Sequence, residues 1–130
     1  MRGDGLMEIL LRGKEEDGEK WLEGIGLFRD MDDFSHYQLQ VKDNDGWHWH
    51  SIIPETLGLC AYKTDNTGKM IFEGDILLSC GVMLIVKFSD MSGHLIAVDK
   101  NNVVYPFLNQ NRIVGNIHDN PELLKEFEDG

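Results

Sequence analysis

Between Ile76 and Ile117 the sequence is cut by a turn signal every few residues, and that spacing leaves room only for short strands. Apolar segments at 76–79, 82–88, 95–98, 103–107 and 112–117 alternate with Cys80-Gly81, Asp90-Met91-Ser92-Gly93, Asp99-Lys100-Asn101-Asn102 and Asn109-Gln110-Asn111. Gly, Asn, Asp and Ser reverse a chain by tolerating left-handed backbone or by bonding their own main chain. The spacing therefore predicts five strands, and five short strands so closely connected predict a small barrel of SH3-like size.

The first half reads as hairpins. Segments 6–12 and 21–28 flank Lys14-Glu15-Glu16-Asp17-Gly18-Glu19, a polar run with an Asp-Gly turn signal. After a polar break at 30–33, Tyr37, Leu39 and Val41 alternate with Gln38, Gln40 and Lys42 at the period of a strand with one buried face. The following turn, Asp43-Asn44-Asp45-Gly46, is read as a three-residue loop with Gly46 in the left-handed position. That loop pairs Asp43 with Trp47, Val41 with Trp49, Leu39 with Ser51 and Tyr37 with Ile53, which gathers apolar residues on one face. A two-residue loop sets His48 and His50 opposite Val41 and Leu39 and is disfavoured by the cost of burying imidazoles without partners. Trp49 is thus expected in the core, and Trp47, His48 and His50 form the candidate interaction surface.

The chain ends on Asp119-Asn120-Pro121-Glu122-Leu123-Leu124-Lys125-Glu126-Phe127. Asn120 as N-cap, Pro121 in the first turn and an anion at Glu122 predict one short α-helix over 119–127, with Leu123, Leu124 and Phe127 as its apolar stripe. The fold expected is all-β, a single domain over 1–130: an N-terminal hairpin part over 1–57, a small barrel over 58–118, then the helix.

Charge and cysteine usage bound the setting. Twelve Lys and Arg against 23 Asp and Glu give a formal charge of -11, which repels phosphate, so direct nucleic-acid binding is not expected. No run of residues is apolar and long enough for a membrane-spanning helix, and the N-terminal stretch lacks the uninterrupted apolar region of a secretory signal. Cys60 and Cys80 lack metal-ligand spacing and are expected as free thiols in a reducing cytoplasm.

Four stretches together resemble the YopX family: Glu8-Ile9-Leu10-Leu11-Arg12-Gly13-Lys14 with Trp21; Pro54-Glu55-Thr56-Leu57-Gly58; Thr67-Gly68-Lys69-Met70-Ile71-Phe72-Glu73-Gly74-Asp75-Ile76; and Val114-Gly115-Asn116-Ile117-His118-Asp119-Asn120-Pro121-Glu122-Leu123-Leu124. The sequence departs at Cys60-Ala61-Tyr62, where the family commonly has Tyr-Thr-Gly, and a rebuilt loop is expected there. The resemblance implies a mostly β fold and a phage or prophage origin, and it carries over no catalytic or ligand-binding residue.

The signature positions Gly68, Glu73, Gly74, Asp75, Gly115, Asn116, Asn120 and Pro121 read physically as fold determinants. Gly74 supplies a positive φ before a strand, Asp75 caps the turn, Gly115 permits a bulge or close approach, and Asn116 bonds neighbouring backbone. His48 and His50, two apart on a strand, point the same way, but no third ligand stands at motif spacing. Neither a catalytic nor a cofactor-binding residue is assigned, and no cofactor is expected. The function expected is a noncatalytic protein-binding or assembly module that self-associates or meets a bacterial or phage protein. The alternatives are an acidic inhibitor mimicking a nucleic acid and, more remotely, a metal-dependent or thiol hydrolase.

Overall fold

The structure, a computed structural model, describes residues 9–18, 20–30, 32, 36–107 and 110–128. Part of the first expected strand (6–8), Glu19, Asp33 and Asn109 lie outside the described residues. The chain divides into two compact units, Met1–Leu59 and Cys60–Gly130, and both are built from antiparallel strands.

In the first unit β1 (Leu11–Glu15), β2 (Trp21–Gly24), β3 (Gly26–Arg29), β4 (Tyr37–Asp43) and β5 (Gly46–Thr64) take the order β2-β1-β5-β4-β3. The 21–28 segment, read as one strand, breaks at Ile25, whose N–H donates to the Gln40 carbonyl at 3.1 Å. Gly24 allows this passage, because a Cβ there would lie 2.1 Å from the Gln40 oxygen. Leu39, Val41 and Ile52 form the core, with Leu11, Leu22, Tyr37 and Leu57 packed on them.

The β4–β5 hairpin corrects the expected register. Asp43 pairs with Gly46, Lys42 with Trp47, Val41 with His48, Gln40 with Trp49 and Leu39 with His50, the two-residue loop that imidazole burial argued against. The penalty is avoided because the turn carries its own acceptors. His48 Nε2 lies 2.8 Å from Asp45 Oδ1, and His50 Nε2 lies 3.0 Å from Asp43 Oδ2. One step of register moves every side chain to the opposite face, so Trp49 leaves the core.

β5 continues through Pro54, which cannot donate to a ladder. Its pairing with β1 shifts register between Arg12 and Lys14, and Thr56 fills the gap. The Thr56 hydroxyl accepts from Lys14 N–H at 2.8 Å and donates to the Ile53 carbonyl at 2.6 Å.

The second unit contains the end of β5, then β6 (Met70–Phe72), β7 (Asp75–Ser79), β8 (Val82–Ser89), β9 (His94–Val98), β10 (Val104–Tyr105) and β11 (Arg112–Asn116). Five of these form an open sheet in the order β10-β9-β8-β7-β11, while β6 pairs with β5. The core is Ile71, Leu77, Leu84, Val86 and Ala97. The expected SH3-like barrel is not closed. The segment 103–107 supplies only two strand residues at one edge, and β11 is bulged between Ile113 and Gly115 at the other, so neither edge presents a long regular ladder.

Cys60-Ala61-Tyr62 is not a rebuilt loop. It lies within β5, and Tyr62 holds the left-handed φ of 55° suited to the glycine the family commonly places there, beside a register shift against β6. The expected C-terminal α-helix is a 3-10 turn, Pro121–Leu124, running into a four-residue helical segment, α1 (Lys125–Glu128). Asn120 does not cap it through its side chain, because Asn120 Oδ1 accepts from the Asn116 N–H at 3.1 Å.

Candidate interaction face

Strand parity fixes what the first unit shows on the face of its sheet opposite its core. Leu39 and Val41 point into the core, so Gln38, Gln40 and Lys42 point away, and the residues across from them, Ser51, Trp49 and Trp47, share that face. Phe28 joins them because it pairs with Gln38. The result is an aromatic row with Phe28 49%, Trp47 46% and Trp49 48% exposed. Phe28 and Trp49 stand edge to face, centroids 6.2 Å apart and planes at 67°. Lys42 Nζ lies 5.8 Å from the centroid of Trp47. Trp21, by contrast, is half-buried, with the Arg12 guanidinium 4.5 Å over its ring.

The sequence singled out Trp47, His48 and His50 as one surface; the structure separates them. Trp47 lies on the aromatic face, whereas His48 and His50 lie on the core side, His48 exposed and His50 half-buried. The aromatic face therefore gains Trp49 and Phe28, both missed from sequence. Their signal was parity with Lys42 and Gln40, legible only once the two-residue loop is granted. The histidines are bound to carboxylates. His50 also has its Nδ1 3.8 Å from Glu15 Oε2, and His36 bonds Ser51 Oγ at 2.9 Å. The hydrogen bond and charge of His48 hold the Asp45 carboxyl below the usual carboxylate range.

The signature carboxylates and amides of the second unit are turned to the main chain. Asp75, buried, accepts from Phe72 N–H at 2.8 Å, and Gly74 before it has a φ of 94°. Gly74 also joins two elements: its N–H donates to the Val86 carbonyl, and its carbonyl accepts from Ile117. Asn116 Oδ1 accepts from the N–H groups of His118 and Asp119, each at 2.9 Å. A Cβ on Gly115 would meet Asn120 Oδ1 at 2.4 Å, so the bulge and the Asn120 bond both need glycine there. Gly68, at a φ of 89°, donates to the Asp65 carbonyl, Glu73 lies in the turn between β6 and β7, and Pro121 opens the 3-10 turn.

Asp65 was not singled out from sequence, yet it is the densest of these hubs. Oδ1 accepts from Thr67 N–H, the Thr67 hydroxyl and Lys69 N–H, and Oδ2 accepts from Ile113 N–H at 3.0 Å. Burial alone would raise its pKa; the bonds from Ile113, Thr67 and Lys69 outweigh that and hold it at about 2. The Asp-x-Thr spacing was a local signal for the first bonds, and nothing local announces Ile113.

Among the described residues no three His, Cys, Asp or Glu side chains come together as a metal site. Cys60 is buried and Cys80 exposed, neither in a disulfide; Cys80 sits at the two-residue β7–β8 turn with Gly81. Among the described residues no helix is long and apolar enough to cross a membrane.

These features define a predominantly antiparallel β protein whose polar signature serves the backbone and whose first unit gathers Phe28, Trp47 and Trp49 on one sheet face. The sequence profile described as YopX protein matches residues 12–125, and the chain belongs to that family. No curated protein matches the chain.

Proposed function

We propose that this protein is a noncatalytic protein-binding module of phage or prophage origin, acting in the bacterial cytoplasm. The observation that carries this reading is the row Phe28, Trp49 and Trp47, half-exposed on the sheet face opposite the core of the first unit. Large aromatics on a surface mark contact sites, because their burial supplies much area at little entropic cost, and Trp is enriched among residues that dominate binding. The signature polar groups, in contrast, are spent on main-chain bonds and are not arrayed around a reacting atom. The family relationship agrees with a phage-type protein and supplies no activity of its own.

The test is affinity capture from extracts of a bacterial host and of phage-infected cells, with the parent and the Trp47→Ala and Trp49→Ala variants side by side. A protein retained by the parent and lost from both folded variants is the expected result. Identical retention by all three would overturn the reading.

A further inference from the structure

We propose that the turn end of the β4–β5 hairpin, where Trp49 meets Asp43 and Asp45, docks a lysine- or arginine-rich segment of a partner protein. This rests on the protein-binding reading above and names the chemistry of the occupant. Charge complementarity comes first. A chain with a formal charge of -11 draws cationic partners towards it and repels a second copy of itself.

Local geometry says where the cation lands. A shallow depression at this end is lined by Asp43, Asn44, Asp45, His48, Trp49 and His50, so the Trp49 indole from the aromatic face borders one opening with two carboxylates and with the histidines of the core side. Asp45 and Asp43 each engage a histidine through one oxygen, which fixes the carboxylates at the rim and leaves the other oxygen of each to a partner's donor. Indole faces attract ammonium and guanidinium groups, most strongly among the aromatic side chains. The chain itself demonstrates the contact: Lys42 lies over Trp47, and Arg12 and Lys14 lie over Trp21. Trp47 and Trp49 are the half-exposed pair of the three tryptophans and remain accessible to an incoming cation. The 67° angle between Phe28 and Trp49 breaks the flat platform that stacked bases or sugar rings need, but side chains of a peptide fit between such rings.

Lys42 gives the idea a distinctive sign. It lies over Trp47, one residue from Asp43, and carries the charge of the incoming cation, so removing it should strengthen docking of a basic segment. It should weaken docking of an acidic one.

The experiment is fluorescence anisotropy with a labelled lysine- and arginine-rich peptide and a glutamate-rich peptide of equal length. Parent, Trp47→Ala, Trp49→Ala, their Phe counterparts and Lys42→Gln are compared, circular dichroism confirms folding, and sedimentation of the same samples reports self-association. The basic peptide is expected to bind the parent and weaken with salt. Its binding should fall at least about tenfold in each Ala variant, fall less in the Phe variants and tighten in Lys42→Gln. Equal binding by parent and tryptophan variants would reduce the effect to bulk charge and overturn the proposal, as would preference for the acidic peptide or weakening by Lys42→Gln. A parent that self-associates through this face, with monomeric tryptophan variants and no peptide binding, would overturn the basic occupant yet leave the protein-contact reading standing. Tryptophan variants unchanged both here and in extract capture would remove both.

Discussion

The two units use the same residue types in opposite ways. In the second unit Asp65, Asp75, Asp99 and Asn116 accept backbone N–H groups in turns and at strand ends, where an unmet donor would be costly. In the first, Asp43 and Asp45 bond His50 and His48 at the rim of the sheet. Aromatics differ in grouping: in the second unit Phe72 is fully buried and the exposed Tyr62 and Phe88 stand on separate strands, β5 and β8, whereas Phe28, Trp47 and Trp49 of the first are exposed together on one face. A carboxylate that satisfies main chain is tied to the fold, and one that orients a surface side chain is free to meet a partner. The second unit therefore holds the architecture, and the first presents the better surface for recognition.

The contrast predicts unequal costs of substitution. Asp65→Ala should be the most damaging change, lowering stability by about 3 kcal/mol, because it strands main-chain donors on two separated segments at once. Urea midpoints measure this, and an unchanged midpoint would break the contrast. Acid sharpens it. With a folded pKa of about 2 against the ordinary 3.8, Asp65 contributes stability that is full above the ordinary value and is lost as pH falls through about 2. Between those pH values Asp65→Asn should show a flatter loss of stability than the parent.

Asp75→Ala should cost somewhat less, about 1 to 3 kcal/mol, since it accepts from the buried Phe72 N–H within one turn. Were Asp75 a functional carboxylate instead, its removal would leave the denaturation midpoint in place while abolishing partner binding. A smaller effect of opposite sign is expected at Tyr62. Tyr62→Gly should raise stability by about 0.5 to 1 kcal/mol, as relief of left-handed strain exceeds the entropy glycine loses on folding. A lower melting temperature for that variant would show that the tyrosine's contacts outweigh its backbone. Least of all, Trp49→Ala on the aromatic face should shift stability by under about 1 kcal/mol, limited to its half-buried area and its edge contact with Phe28. A loss comparable with that of Asp65→Ala, seen by the same urea titration, would make the face structural.

The family, the predominance of β structure and most strands of the second unit are legible in the order of residues alone. Those strands are bounded by turns that act locally, such as Cys80-Gly81 with positive φ at both residues and Asp99 accepting the N–H groups of Asn101 and Val103. The hairpin register, the open sheet, the bond of Asn120 and the aromatic face follow from contacts made only in the folded chain. Register depends on whether a cross-strand imidazole finds a partner, and Asp43 and Asp45 supply one only after the hairpin has closed. Asp65 bonds Ile113, 48 residues away, and Asn120 turns back to Asn116; neither choice is visible in the local pattern. A period-two pattern places side chains on alternate faces, but which face is buried is fixed by what packs against it. In this chain a single step of register moved Trp49 from the expected core to the surface.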